Sequence, residues 1–229
     1  MATIALLPIK AHSERVSGKN FKTMAGKPLF RWILDALIEV EDIDHVVINT
    51  DGKHILAECG LVANDRIIIR ERRPEICGDH VSMNLIIEDD LQATEADTYI
   101  MTHTTNPLLS SATIAKALKV FKTAKHSNSA DSLFGVTKFQ TRFYKEDGSP
   151  INHDPDNLIR TQDLEPWYEE NSCIYVFDKT SFAKTNARIG QKAILFEIPK
   201  LEAIDIDEKE DWFLANAVAK GLKEKNNYA

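Results

Sequence analysis

Short β-branched and apolar runs alternate with stretches of helical period through the first two-thirds of the chain, and this alternation limits the fold more than any other feature. Residues 3–7, 46–49, 67–69, 99–102 and 132–136 have the length and composition of buried strands. Between them, Leu29, Trp32, Ile33, Ala36, Leu37 and Val40 recur on one helical face, as do Ile114, Leu118 and Phe121 after the capping pair Ser110 and Ser111. Strand–helix–strand alternation predicts an α/β fold in three layers, a mostly parallel sheet flanked by helices. The pattern resumes with strands at 173–177 and 193–198. It closes on a helix carrying Trp212, Ala215, Val218, Ala219 and Leu222 on one side. A chain of 229 residues fits one such domain with a sizeable core.

The pattern breaks at about 139–168, a polar stretch rich in turn signals (Asp147-Gly148-Ser149-Pro150, then Asp154-Pro155-Asp156-Asn157). A structureless loop of that length is unusual inside a compact domain, so an inserted arm gripping a second subunit is expected there. The formal net charge of −7 argues against broad contact with nucleic acid or anionic lipid, which need an excess of Lys and Arg. Cys59, Cys77 and Cys173 lie far apart without CxxC spacing and read as reduced thiols of a cytoplasmic protein. The first residues read as a strand, not a signal peptide, and no segment is long and apolar enough to span a bilayer.

Three segments carry candidate chemistry. The loop after the first strand holds Lys10, Arg15, Lys19, Lys22 and Lys27 with Ser13, Ser17 and Asn20, closing at Gly26-Lys27-Pro28-Leu29. A loop at the carboxyl edge of a parallel sheet is where such folds bind ligands. The basic cluster suits a polyphosphate, and its composition also suits a solvated surface loop. It is neither a Walker A loop nor a GxGxxG turn, which disfavours a Rossmann-type oxidoreductase or methyltransferase. The second segment is Asp205-Ile206-Asp207. In an extended chain the two carboxylates share a face and form a hard-oxygen site suited to Mg²⁺, while Asp207 with Glu210 also reads as a helix cap. The third, containing Arg160, Gln162, Asn171 and Tyr175, offers groups able to read a polyhydroxylated acid. Cys77 near His80 is adjacency, not a catalytic triad.

Taken in order, these segments resemble the acylneuraminate cytidylyltransferases (CMP-sialic acid synthetases), with CMP-Kdo synthetases as more distant relatives. The family's opening loop, ending in GKN and followed by GKPL, reads here as PIKAHSERVSGKN and Gly26-Lys27-Pro28-Leu29. Thr50-Asp51 matches the end of an STD motif. Arg72, Arg73 and Pro74, then Asp79 and Ser82, match a stretch near the base. His103 to Leu109, Arg160 to Tyr175, and Ala203 to Asp207 match the later motifs. The resemblance implies a Rossmann-like nucleotidyltransferase fold and transfer of CMP from CTP to an acidic sugar with release of pyrophosphate. It implies nucleotide binding by Lys10, Ser13, Arg15, Lys19, Asn20, Arg72, Arg73 and Ser82, and a Mg²⁺ site at Asp205 and Asp207. Catalysis would rest on Lys19 with those two aspartates. The acceptor would meet His103, Thr105, Arg160, Gln162, Asn171 and Tyr175, and the arm would cross to the partner of a homodimer, with Arg160 as a candidate contributor.

The sugar side departs from the family. His103 stands for a Gln, Leu109 for an Arg, and Glu14 and Glu169 stand where basic residues are usual. Sialic acid, another nonulosonic acid, an octulosonic acid and a different acidic acceptor all remain open. So do a same-fold nucleotidyltransferase using another nucleotide or a sugar phosphate, and a non-catalytic nucleotide-binding protein.

Overall fold

A computed structural model describes residues 2–227. Strand β1 (Thr3–Leu6) enters a long loop holding a small hairpin, β2 (Thr23–Met24) with β3 (Lys27–Pro28), before helix α1 (Leu29–Glu39). Then follow β4 (His45–Thr50), α2 (Lys53–Glu58), β5 (Ile67–Glu71), α3 (Met83–Ala93), β6 (Thr98–Thr102) and α4 (Ser111–His126). The chain ends with β7 (Ser132–Phe139), β8 (Trp167–Phe177), α5 (Lys179–Thr185), β9 (Ala193–Glu197) and α6 (Lys209–Asn227).

Seven strands form one sheet in the order β5, β4, β1, β6, β8, β7, β9. Neighbours are parallel except β8, which runs against both β6 and β7. Side chains alternate across each strand, so β1 feeds two cores. Ala5 and Leu7 join Phe30, Ile33 and Leu37 of α1 and Leu118 and Phe121 of α4 on one face. Ile4 and Leu6 join Ile87 and Leu91 of α3 and Phe182 of α5 on the other. Each such buried side chain contributes about 1.5–3 kcal/mol of hydrophobic stabilisation before the entropy of ordering it is subtracted. The three expected layers are present, with helices on both faces.

A third cluster fastens the last helix. Ala215 and Ala219 of α6 pack with Met24, Leu29, Leu108 and Ile206. The expected stripe on this helix ends earlier than its period implies: Leu222 is exposed, and beside it Lys223 Nζ donates to the Ala25 carbonyl at 2.5 Å. The cap of α6 also differs from expectation. Asp211 Oδ2, not Glu210, accepts from the backbone N–H of Asp207 at 3.0 Å and of Glu208 at 2.7 Å. The Asp207 carboxylate is thereby released from capping.

The other departure is β8, which starts at Trp167, well before residue 173. Its outer end pairs with β7 from Thr137 to Phe139, past the last β9 pairing at Val136, where residues 167–169 are exposed and charged side chains are tolerated. Where the ribbon leaves the sheet, the register shifts between Phe134 and Val136. At the intervening Gly135, a Cβ would sit 2.7 Å from Asn171 Oδ1 and 3.2 Å from Ile198 Cγ1, so any larger residue would push the Asn171 side chain aside. The excursion between these strands is locally organised. Phe143 stacks on Trp167 at 5.3 Å, and Tyr144 bridges to Pro150 around Gly148. Among the described residues no helix is long and apolar enough to cross a membrane.

Candidate active site

The parallel strands β1, β4, β5 and β6 end at one edge, and the segments that follow β1, β5 and β6 line a cavity of about 240 Å³. From the basic loop come Lys10, Ser13, Arg15, Lys19 and Asn20. The segment after β5 adds Arg72 and Asp79, the segment after β6 adds His103, Thr104 and Thr105, and Asp207 closes the wall. The loop's shape starts at Gly18, whose φ of 61° is the left-handed conformation that glycine adopts without strain. The next three residues, Lys19–Phe21, form one 3₁₀ turn that buries Lys19 and Asn20.

Lys19 is the pivot between the two charged segments. Its Nζ donates to the Ile206 carbonyl and lies 3.9 Å from Asp207 Oδ1. Burial lowers its pKa, while Asp207 and Asp205 pull it back up. Arg15 reaches Asp207 Oδ1 at 2.8 Å and Glu208 Oε1 at 3.3 Å, and Asp207 is the main reason its pKa is raised. Asn20 is locked at both ends: its Nδ2 donates to the Lys10 carbonyl at 2.8 Å, and Thr104 Oγ1 donates to its Oδ1 at 2.6 Å. The Ile206 N–H bonds the Thr105 carbonyl at 2.8 Å, which ties the aspartate segment to the end of β6.

Asp205 lies next to this group. Burial, then the nearby Asp207 charge, raise its pKa against the lowering effect of Thr105 and Lys19. Its Oδ1 is buried without a hydrogen-bond partner. A carboxylate oxygen in that position is costly unless a cation or donor meets it. Asp205 and Asp207 with waters and phosphate oxygens match the donor set that Mg²⁺ takes up.

Arg72 is held from behind. Its Nε donates to Asn49 Oδ1 at 3.0 Å and its Nη2 to the Asn49 carbonyl at 2.8 Å, while Asn49 Nδ2 donates to Asp90 at 2.8 Å and Asp89 at 3.2 Å. Burial pushes the Asp90 carboxyl up to about 6, with Asn49 and Arg70 opposing. Arg73 turns to Asp89 at 2.7 Å and stays outside the cavity. Ser82 likewise lies outside it and caps α3 by accepting from the Asn84 N–H at 3.3 Å.

Of the residues expected to meet the acceptor, His103 and Thr105 line the cavity. Burial, then the charges of Arg188 and Lys19, push His103 down to about 3, so it is a neutral imidazole at ordinary pH. Tyr175 is buried in the sheet opposite Met101 of β6, its hydroxyl donating to Glu170. Asn171 is occupied in the β7–β8 ribbon, accepting from the Cys173 N–H and donating to Thr137. Arg160 pairs with Asp163 at 2.7 Å and, with Gln162, sits on the exposed excursion outside the cavity. Cys77 bonds the Arg73 carbonyl, and the buried Cys173 thiol is pushed far up by desolvation, so neither suits nucleophilic work.

A family model described as cytidylyltransferase matches residues 4–227. The chain belongs to the cytidylyltransferase family. An N-acylneuraminate cytidylyltransferase of Streptococcus agalactiae is 24% identical over 218 residues, covering 93% of this chain and 52% of that protein. The chain therefore spans about half the length of that curated relative. A CMP-N,N'-diacetyllegionaminic acid synthase of Legionella pneumophila is 25% identical over 230 residues, covering 93% of this chain and 94% of that one. Among solved structures, a CMP:2-keto-3-deoxy-manno-octonic acid synthetase complexed with CTP superposes with a TM-score of 0.67 at 14% identity, covering 96% and 98% of the two chains. The fold and family expected from the motifs are thus borne out.

Asp79, matched in a motif but given no role by it, holds Lys10 at 2.5 Å. Two further participants carried no expectation: Thr104 orients Asn20, and the charge of Arg188 lowers the His103 pKa. Thr104 lies inside the motif that begins at His103, which was the available signal. Arg188 sits in no motif.

Proposed function

We propose that this chain is a Mg²⁺-dependent cytidylyltransferase that activates an acidic sugar as its CMP derivative. The observation that carries the reading is the convergence of Arg15 and Lys19 on the Asp205–Asp207 segment at the mouth of a cavity lined by Lys10 and Arg72. A triphosphate entering there exchanges with these carboxylates for the same cations. Mg²⁺ held by Asp205 and Asp207 would neutralise charge on the phosphate oxygens. The acceptor's anomeric oxygen forms a bond to the α-phosphorus as the α–β bridging bond breaks, pyrophosphate leaves, and the hydroxyl proton is released. Lys19, Arg15 and Lys10 stabilise the charge building on the departing pyrophosphate, and Arg72 and Asn20 hold the nucleotide. Catalysis is therefore positioning plus electrostatics. The names of the relatives, which make CMP derivatives of sugar acids, support the same substrate class.

Calorimetric titration with CTP, UTP, ATP and GTP in Mg²⁺ tests the nucleotide. CTP is expected to bind at least about tenfold more tightly than the others. Equal affinity across the four would remove the cytidine assignment. The proposed setting is the cytoplasm and the proposed state a homodimer; the exposed apolar side chains of the 139–168 region, including Tyr144, Ile151, Leu158 and Trp167, support the dimer. Light scattering is expected to give twice the chain mass of 25.8 kDa, and the mass of one chain at every concentration would refute the dimer.

A further inference from the structure

A second cleft of about 350 Å³ adjoins the main cavity, and Met83 lines both. Ser82, Asn84, Glu170 and Arg188 supply its polar groups, and Arg188 is the cation among its lining residues. The Arg188 side chain is only 19% exposed. Its guanidinium carbon lies 3.9 Å from the centroid of the Tyr175 ring, and its Nη2 donates to Tyr175 Oη at 3.0 Å. Glu170 Oε1 stands 3.6 Å away, on a side chain that is 43% exposed. Stacking fixes the plane of the guanidinium, and the bond to Tyr175 uses one of five donors in a fork suited to a carboxylate.

The charges of the two clefts divide the labour. Lys10, Arg15, Lys19 and Arg72 line the main cavity, where the nucleotide and its polyphosphate engage them. A carboxylate on the acceptor then needs a cation that the polyphosphate does not use. Within one subunit the residues carried over for sugar binding do not supply one there: His103 is neutral, and Arg160 lies outside that subunit's cavity, paired with Asp163. Arg188 lines the cleft that shares Met83 with the main cavity, and its charge is felt at His103 on that cavity's wall.

We propose that Arg188 is the specificity-determining residue for the acceptor, its guanidinium taking the carboxylate of the sugar acid in the cleft beside the nucleotide. Tyr175 holds the fork flat, and the exposed Glu170 gives up its place as counter-ion and accepts sugar hydroxyls. The inference rests on the cytidylyltransferase reading and deepens it by naming the group that makes the acceptor an acid.

The test compares Arg188→Gln and Arg188→Lys with the native enzyme. The acceptor is whichever of N-acetylneuraminate, N,N'-diacetyllegionaminic acid and 2-keto-3-deoxy-manno-octonic acid the native enzyme uses best, and the second probe is its carboxamide analogue. In Arg188→Gln, KM for the acid is expected to rise about tenfold or more, with KM for CTP unchanged. The preference for acid over carboxamide is expected to vanish in Arg188→Gln and to return in part in Arg188→Lys. A merely structural role would shift both acceptors and CTP together. Arg188→Gln with the native KM for the acid, or with the native preference for acid over carboxamide, overturns the proposal. A native enzyme that binds CTP but turns over none of the three acids overturns the functional reading itself, and the inference with it.

Discussion

Replacing Lys19 by methionine is expected to lower kcat by about two to three orders of magnitude, the effect seen when one preorganised donor to a developing negative charge is removed. Lys19 is buried, bonded to the Ile206 carbonyl and poised 3.9 Å from Asp207, so its ammonium is fixed before substrate arrives. Methionine keeps the apolar stem and volume. It leaves the Ile206 carbonyl without this donor, which costs about 1–3 kcal/mol of stability. A melting curve therefore accompanies the kinetics. A folded Lys19→Met enzyme with kcat within about tenfold of native would show that Lys19 is structural rather than catalytic.

The second large effect concerns the two aspartates. Asp205→Asn and Asp207→Asn are each expected to lower turnover by about a hundredfold or more and to raise the Mg²⁺ concentration needed for half-maximal rate. The pKa direction at Asp205 separates this loss from unfolding. Its carboxyl binds a proton more tightly folded than unfolded. Stability from that preference is present below the unfolded pKa and is lost as pH rises through the folded one. Above the folded pKa the buried Asp205 carboxylate thus subtracts from stability, and Asp205→Asn is expected to melt there at or above the native temperature while turning over slowly. Asp207 makes an exposed ion pair with Arg15, which contributes little to folding, and Asp211 carries the cap. Full turnover of Asp207→Asn at limiting Mg²⁺ would show its metal role to be wrong.

Much of this was legible in the residues, for a physical reason. Strands buried on both faces must be apolar throughout, so β1, β4 and β6 stand out, and α1 and α4 bury one regular stripe each. Helix α3 did not stand out because it buries Asp89 and Asp90, which hold Asn49, Arg70 and Arg73. The outer half of β8 was hidden because a ribbon exposed on both faces needs no apolar alternation, and Glu169 and Glu170 look like loop residues. In the site, a basic loop on an acidic chain and an aspartate pair before a helix are visible because phosphate chemistry requires charge there. Arg188 was invisible. A single arginine between a short helix and an edge strand looks solvated until the fold lays it against Tyr175. Ser82 and Arg73 illustrate the converse: both sit in a matching motif, yet the structure spends the one on a helix cap and the other on Asp89.

The measurement that bears most directly on the central claim is pyrophosphate release by the native chain with CTP, Mg²⁺ and each of the three sugar acids, with phosphorus NMR of the product. Pyrophosphate formed only when CTP and one acid are both present, together with a new phosphodiester signal, is the predicted result. CTP binding without pyrophosphate from any acid would contradict an acidic-sugar acceptor, and absence of CTP binding would contradict the cytidylyltransferase assignment of the site as a whole.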